Sequence, residues 1–367
     1  MRFLPKFWPK FLNEKGVALI LVISSISMLA IMMVEFTFNS QVNLRIAKNF
    51  QNALKAQALA KSGIYFSLLE LKVYKSLKEN PMVRQIPGFQ ESMLDQIWQF
   101  GFIYPPLATK KATFGKEKAL EEFTQKSKIE GKIHVTIQDE GSKINLNDLE
   151  NIQYRASLIQ QLDSIFEHKK STDEEFLQKY KDLQFTDLIN NIVDWIDKDT
   201  GRVGGGDEDS AYSRLPTPYR SKNAPMDTVS ELGLIEGFSD DTIFNLLLPY
   251  VTVYPTEGVN VNTADIIMLL TISPELTAED VQKINEHRQK TGGFKTPQEF
   301  EEFCKNTLLK SADFNKNPKV RLTTSTNVFS LESKAEVGGA MQTIRAVVNL
   351  SKLSSDGSPQ ITYWNLN

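Results

Sequence analysis

An uninterrupted apolar run near the N-terminus constrains this 367-residue chain more than any other feature. Residues 17–34 carry no charge, and their only polar members are Ser24, Ser25 and Ser27. A helix over this run would be about 27 Å long, close to the roughly 30 Å of a bilayer's hydrocarbon core. The run is therefore predicted to span a membrane.

Basic residues on the short N-terminal side of the run predict its orientation. Lys6, Lys10 and Lys15 precede it, with Arg2 further out, so this side should stay cytoplasmic and the rest of the chain should lie outside the cytoplasm. The alternative is a cleaved secretory signal. Such a signal ends in a small-residue site, whereas this run closes with Met-Met-Val-Glu at 32–35.

The helix is predicted to continue well beyond the membrane. Residues 35–80 contain no proline and a single glycine, Gly63, and Asn80-Pro81 is a natural stop. One helix from about Val17 to about Glu79 would be on the order of 90 Å long, its later part packing on a soluble domain. A coiled coil is the rival explanation, although the stripe departs from a strict heptad. The apolar residues on one face are Val42, Ile46, Phe50, Ala53, Ala60, Ile64, Leu68 and Leu71.

A basic leader, Gly16 before an uncharged run, and an amphipathic continuation together resemble type IV pilin-like subunits. The resemblance implies cleavage by a prepilin peptidase between Gly16 and Val17, with methylation as a further modification. Most such subunits carry a glutamate five residues into the mature chain, where this sequence has Leu21. That absence is characteristic of the general secretion pathway protein K family, the minor pseudopilins of type II secretion. A tip subunit has no neighbour above it whose amine could pair with a buried carboxylate, so an apolar side chain costs less there.

Composition and motifs narrow the function classes. The net charge of −3 gives no basic field to attract nucleic acid. Cys304 is the lone cysteine, which excludes an internal disulfide, and His134, His168 and His287 are far apart in sequence. A nucleophile–base pair, a Walker loop and a Rossmann fingerprint are all missing, so the chain is predicted not to be an enzyme.

Alternating residues predict a small antiparallel sheet, which makes the chain α+β. Strands are predicted at 133–137, after a turn at Lys143–Asn147, and again at 329–337 and 344–350. The intervening residues are mostly helical, so an all-α domain is predicted as an insertion into a type IV pilin-like fold. The predicted parts are a leader (1–16), a long helix (17–80) with a span at 17–34, a first pilin-like part (81–147), an inserted α-domain (148–322), and C-terminal strands with a tail (323–367).

The inserted domain is predicted to contain two small all-α units related to SAM and helix-hairpin-helix modules. Helices are expected near 152–167, 185–196, 240–248 and 277–289, and from Pro297 with Thr296 as N-cap. Helix-hairpin-helix modules hold DNA phosphates on a glycine-rich hairpin. The corresponding loop at 272–280 has no glycine and three acids, so protein contacts, and no nucleic acid, are predicted.

A dense acidic stretch follows the second predicted helix of this domain. Its carboxylates lie on a loop made flexible by Gly201 and Gly204–Gly206, and they repel one another unless a cation or solvent separates them. Hard oxygen ligands of this kind suit calcium, although Arg202 occupies the position where an EF-hand needs glycine. From the residues alone, a solvated acidic loop is an equal alternative. The candidate ligands are Asp194, Asp197, Asp199, Asp207, Glu208 and Asp209.

The resemblance extends to this stretch and favours calcium. Asp-Trp-Ile-Asp at 194–197, Asp199, Tyr212 and Leu-Pro-Thr-Pro-Tyr at 215–219 are similar to the family's calcium-binding segment. Residues 81–130 and the tail beyond Ser351 match nothing in the family.

The resemblance implies a minor pseudopilin at the tip of the type II secretion pseudopilus, which initiates or caps its assembly. Its partners would be the I- and J-type minor pseudopilins, the major pseudopilin and prepilin peptidase. The protein would cross the bacterial inner membrane once, with its C-terminal domain in the periplasm. Two alternatives are a minor pilin of a type IV pilus and a membrane-anchored helix-hairpin-helix DNA receptor of a competence system.

Overall fold

The first described element is one very long helix. The computed structural model describes residues 14–86, 92–99, 101–105, 126–127, 129–353 and 358–367, and helix α1 runs over Glu14–Glu79. The prediction of a continuous helix to Glu79 is confirmed. Within the described residues, α1 is the one helix long and apolar enough to cross a membrane. Arg2, Lys6 and Lys10 of the predicted leader lie outside the described residues.

Only the later part of α1 packs on the rest of the molecule. Its buried stripe includes Ala60, Ile64 and Leu71, each fully buried. The predicted packing of the face at 42–50 is wrong, because Ile46 and Phe50 are 61% and 66% exposed. Asn52 Nδ2 donates to Gly338 O, which lies in a turn between two strands at the end of the sheet. The sheet therefore does not reach the turns of α1 that precede Asn52.

A five-stranded antiparallel sheet packs against this part of α1. The strands in chain order are β1 (Phe102–Tyr104), β2 (Lys132–Asp139), β3 (Ile144–Asn145), β4 (Val251–Thr252), β5 (Val259–Asn260), β6 (Leu322–Thr323), β7 (Val328–Val337), β8 (Ala340–Leu353) and β9 (Pro359–Leu366). The sheet order is β1-β2-β7-β8-β9. The predicted strands at 133–137, 329–337 and 344–350 are confirmed, whereas β1 and β9 were not predicted.

The predicted strand at Lys143–Asn147 is wrong in extent and in partner. Only Ile144–Asn145 is extended, and it pairs in parallel with β4 rather than with the antiparallel sheet. Asn145 Oδ1 accepts from Asn147 N and opens a 3-10 helix over Leu146–Glu150. Asn147 Nδ2 then donates to Val253 O. These asparagine contacts tie the segment to the helical region.

The helical region contains most of the shorter helices. Those predicted near 152–167, 185–196, 240–248 and 277–289 are confirmed, as are Thr296 as N-cap and Pro297 in the first turn. The helices after α1 are α2 (Pro81–Arg84), α3 (Ser92–Gln99), α4 (Ile152–Thr172), α5 (Glu174–Lys179), α6 (Phe185–Ile196), α7 (Asp209–Tyr212), α8 (Asp241–Leu247), α9 (Ile266–Leu270), α10 (Ala278–Thr291) and α11 (Pro297–Asn306).

The described part of the connection after α1 packs on that helix and on the sheet. Trp98 of α3 is buried, with its ring 6.4 Å from that of Tyr74 on α1 and 5.1 Å from that of Phe329 on β7. Phe100 and residues 106–125, which belong to the same connection, lie outside the described residues.

A buried carboxylate joins the sheet to the helical region. Asp139, at the end of β2, is 4% exposed. Its Oδ1 accepts from Gly141 N at 2.6 Å, and its Oδ2 accepts from Asn260 Nδ2 at 2.8 Å and Thr263 Oγ1 at 2.5 Å. Arg321 and Asp148 form an ion pair within the helical region. The helical region is therefore fixed to the sheet by polar contacts as well as by chain connections.

Candidate metal centre

The acidic stretch begins where α6 ends. The apolar face of α6 is buried through Leu188, Ile189 and Ile192, which fixes the direction in which its last turn points. Asp194 lies in that turn, and Asp197 is the C-cap residue, with an extended backbone. The chain leaves the helix at Asp197 and enters a glycine-rich loop that returns at α7.

Three of the six predicted acids come together. One carboxylate oxygen each from Asp197, Asp199 and Glu208 lie within 4.8 Å of one another. The loop closes on itself because Gly201 and Asp207 form an isolated β-bridge, and Glu208 N donates to Thr200 O. This closure brings Glu208 back beside the end of α6.

The other three acids hold the shape of the loop. Asp194 Oδ1 accepts from Val203 N at 2.9 Å, and Asp207 Oδ1 accepts from Asp209 N at 3.0 Å. Asp209 Oδ1 accepts from the backbone N–H and the hydroxyl of Ser221. The geometry thus separates the six acids into a cluster of three and a supporting set of three.

The cations of the acidic stretch pair elsewhere. Lys198 Nζ lies 3.4 Å from Glu150, and Arg202 lies 2.7 Å from Glu236 while also donating to Asn191 Oδ1. Within the described part of the chain, no lysine or arginine forms an ion pair with Asp197, Asp199 or Glu208. The negative charge of these three carboxylates is therefore not neutralised by a basic side chain of the described residues.

The electrostatics of the cluster reflect this excess of negative charge. Burial, with added repulsion from Asp197, Asp194 and Asp199, raises the pKa of Glu208 to about 7, although Ser221 donates to it. Burial and the same neighbouring carboxylates raise the pKa of Asp197. A divalent cation would reverse these effects, because it favours the ionised form of every carboxylate that it contacts.

Three buried oxygens at this site have no hydrogen-bond partner within the described residues. They are Asp197 Oδ1, Glu208 Oε1 and Asn223 Oδ1. Buried polar atoms are normally paired, so a group of orphaned oxygens indicates a place for a cation or water. Oxygen donors alone, on a loop that can adjust, fit calcium better than the stricter octahedral geometry of magnesium.

Sequence reasoning missed Asn223. Its Nδ2 donates to Asp199 O at 2.6 Å, and its backbone has a φ of 47°. The left-handed region is tolerated by asparagine more than by most residues. Its one sequence signal is an asparagine shortly before Pro225, which is typical of a turn rather than of a ligand.

A cluster of three aromatic side chains packs next to the acidic loop. Trp195, between Asp194 and Asp197, is 4% exposed, and its ring lies 5.6 Å from that of Tyr212 and 6.3 Å from that of Tyr219. This packing keeps water from one side of the acidic loop.

The residues predicted to matter in the N-terminal segment lie in α1. Gly16 and Val17 are in its first turn, and Leu21 is 63% exposed within the apolar stretch. The acidic cluster lies on other elements of the chain, so the predicted sites form two separate groups.

A family model described as type II secretion system (T2SS), protein K, matches residues 142–256, which include every residue of the acidic cluster and Asn223. Proteins called type II secretion system protein K are also similar: the one from Pectobacterium carotovorum subsp. carotovorum is 39% identical over 71 residues, 19% of this chain and 21% of that protein. The one from Klebsiella pneumoniae is 28% identical over 183 residues, 44% of this chain and 50% of that protein. Residues 142–256 are therefore similar to the type II secretion system protein K family.

The alignments with these two protein K relatives span about a fifth and a half of the relatives' length. The fold has a solved counterpart in the crystal structure of the GspK-GspI-GspJ complex from the enterotoxigenic Escherichia coli type 2 secretion system. The match covers 89% of this chain and 99% of the solved chain, with a TM-score of 0.59 and 21% sequence identity. The fold described above is therefore similar to that of a solved chain over most of its length.

Proposed function

We propose that this chain is a non-enzymatic minor pseudopilin at the tip of a type II secretion pseudopilus, where it initiates or caps assembly. One observation carries the proposal: a chain whose residues 142–256 match protein K joins an apolar membrane-length helix, a small antiparallel sheet and a bulky helical region in one structure. A subunit within a fibre shaft must leave room for neighbours on all sides. The helical region, inserted between β2 and β7, takes up that room and suits an end position.

The N-terminal helix supplies the anchor in this proposal. Its apolar stretch at 17–34 crosses the bacterial inner membrane once, with the N-terminus cytoplasmic and the sheet and helical region periplasmic. Prepilin peptidase cleaves between Gly16 and Val17, and the new N-terminus is methylated. Leu21, in place of an acid, needs no amine from a subunit above it.

The partners are assigned by likeness to the solved counterpart, which is a complex of GspK with GspI and GspJ. We assign I- and J-type minor pseudopilins as neighbours at the tip, with the major pseudopilin below them. Nucleic acid is not a partner in this assignment, because the loop at 272–280 carries Glu275, Glu279 and Asp280 where DNA-binding hairpins present backbone N–H groups to phosphate.

Calcium is the proposed metal of the acidic cluster. Asp197, Asp199 and Glu208 would hold it, with the Oδ1 atom of Asn223 as a fourth oxygen donor. A calcium ion supplies positive charge that neutralises the clustered carboxylates and links residues far apart in the sequence. The role is structural: the end of α6, the glycine-rich loop and the segment at Asn223 are kept together.

Two measurements test the function. The detergent-solubilised full chain, mixed with I- and J-type minor pseudopilins, should form a complex that survives size-exclusion chromatography, and it should leave labelled duplex DNA unbound. Failure to form the complex, together with saturable DNA binding, would favour the competence-receptor alternative. After co-expression with prepilin peptidase, intact-mass analysis should find a chain beginning at Val17; an unprocessed chain would contradict the pilin-like anchor.

A further inference from the structure

The two edges of the five-stranded sheet are unequal. At one edge, β1 has three residues and is followed by Pro105, which cannot donate a ladder hydrogen bond. At the other edge, β9 has eight residues, and residues 360–367 contain no charge and no proline. Proteins usually protect exposed edge strands with short length, charge or proline. Beyond Pro359, its first residue, the β9 edge lacks all three.

The backbone of β9 directs specific groups away from the sheet. Thr343 and Asn367 exchange both backbone hydrogen bonds at 2.9 Å, which makes them a hydrogen-bonded pair of the antiparallel ladder. Asn365, two residues earlier, therefore also faces β8. The N–H and C=O groups of Trp364 and Leu366 point to the free edge, where no described strand pairs with them.

The same two residues carry apolar side chains on the helix-facing side of the sheet. Trp364 is opposite Ala346, and Leu366 is opposite Ile344, and both of these β8 residues are buried beneath α1. Because α1 does not extend over β9, Trp364 and Leu366 are 40% and 41% exposed. Unpaired backbone groups and uncovered apolar side chains thus coincide at the same two residues.

We propose that the free edge of β9 is a strand-addition site for an extended, uncharged segment of another pseudopilin subunit, with apolar residues at alternate positions. Backbone groups at an edge are satisfied only by another extended backbone, and the helix-facing side chains of an added strand would cover Trp364 and Leu366. The inference rests on the proposed function, since it assigns a surface to the partners named there.

Geometry argues against a second copy of this chain as the occupant. Antiparallel pairing of two β9 edges uses a twofold axis perpendicular to the sheet. That rotation reverses α1, so the two apolar stretches at 17–34 would point in opposite directions and could not enter one membrane. Parallel pairing of the same edges places Trp364 of each copy on opposite faces of the joined sheet, which leaves both tryptophans uncovered. A different subunit meets neither obstacle.

The experiment uses the detergent-solubilised full chain, with purified I- and J-type minor pseudopilins as the probes. Amide hydrogen exchange is measured for peptides that cover residues 358–367, alone and in the complex. Strand addition predicts that the amides of Trp364 and Leu366 become protected only in the complex. A complex that forms while these amides exchange as fast as before would overturn the inference and leave the proposed function intact.

Matched substitutions separate strand addition from general damage. Leu366→Pro removes an outward N–H, and Leu366→Lys puts a charge on the helix-facing strip; each should weaken binding at least about tenfold, the size expected for a lost hydrogen bond or lost apolar cover. Asn365→Lys places the same charge on the opposite face and should stay within about twofold of the wild-type affinity. Equal affinities for all three variants would overturn the inference.

Two further outcomes are decisive. If the wild-type chain binds neither probe, the proposed function fails and this inference fails with it. If the protection appears without probes and increases with protein concentration, a second copy occupies the edge, and the assignment to another subunit is wrong.

Discussion

The two hydrophobic cores of this protein are built in different ways. The core between α1 and the sheet uses long elements with regular patterns: a stripe on α1 and alternate residues on β2, β7 and β8. The core of the helical region is larger but assembled from short helices joined by irregular loops. Polar side chains such as Asn147, Arg288 and Asp139 hold those loops by hydrogen bonds to distant backbone or side-chain groups.

The difference has a thermodynamic consequence. Regular elements satisfy their backbone groups within the helix or the ladder, so the sheet core depends mainly on packing. In irregular loops, side chains must form hydrogen bonds with the backbone groups that have no partner in a helix or a ladder. In the acidic loop, the proposed cation would also neutralise the clustered carboxylates and bind the unpaired oxygens. We therefore expect the sheet core to respond to changes in packing and the helical region to respond to changes in charge.

The largest expected effect tests the packing of the sheet core. Phe329 is fully buried between Tyr74 and Trp98. Phe329→Ala should lower the free energy of unfolding by about 3–5 kcal/mol, through lost burial and a residual cavity. Urea unfolding of the detergent-solubilised chain measures it. The control Phe50→Ala, at a 66% exposed position on α1, should change little. A loss below about 1 kcal/mol at Phe329 would contradict this view of the core.

The next effect tests the charge dependence of the helical region. With calcium at about 100 times its Kd, binding stabilises a folded protein by about 2.7 kcal/mol, and Glu208→Gln should abolish that gain. Asp207→Asn is the matched control, since Asp207 is adjacent but hydrogen-bonds Asp209 N instead of joining the cluster. Thermal unfolding with calcium and with chelator measures both. If both variants lose the calcium effect equally, the division of the six acids is wrong.

A smaller effect is expected at the junction between the two cores. Asp139→Asn replaces one acceptor with a donor that faces the donors of Asn260 and Thr263, and it should cost about 2 kcal/mol. Hydrogen exchange should rise at 259–263, next to the lost contacts. Asp182→Asn, at an exposed position, should leave stability and exchange unchanged. Unchanged exchange in the Asp139 variant would show that the two regions are held together by other contacts.

The smallest effect depends on pH. Burial raises the pKa of Glu70 on α1 from its ordinary 4.5 to about 7. The stability associated with its neutral form is therefore complete below about pH 4.5 and is lost as the pH rises through about 7. Glu70→Gln should be more stable than the wild type at pH 8 by about 1 kcal/mol, allowing for solvent screening, and equal to it near pH 5. A difference that is the same at both pH values would exclude ionisation as the cause.

The regular parts of the molecule could be predicted from the sequence. Periodicity identified the strands at 133–137 and 329–337, because alternation reports directly on burial. The lack of proline before the Asn80-Pro81 stop identified α1 to Glu79, and the residue types at Thr296 and Pro297 identified a helix start. Periodicity could not show that the face at Ile46 has no partner within the described chain. It also failed for β9, whose residues pair with β8 but are only partly covered, so their pattern does not alternate cleanly.

Site prediction was limited in a similar way. The composition of the acidic stretch identified all six candidate ligands but could not separate Asp197, Asp199 and Glu208 from the three acids that support the loop. That separation depends on the bridge between Gly201 and Asp207, which closes the loop. Asn223 joins the site through a left-handed backbone and a contact with Asp199 O, and neither leaves a mark in the sequence.

The most direct test of this account is calcium titration into the chelator-treated, detergent-solubilised full chain, with hydrogen exchange followed separately in the two regions. The account predicts saturable binding, with slower exchange at 194–223 and unchanged exchange in β7 and β8. An absence of binding at millimolar calcium would contradict the metal site. A uniform change across both regions would contradict the claim that only the helical region depends on a cation.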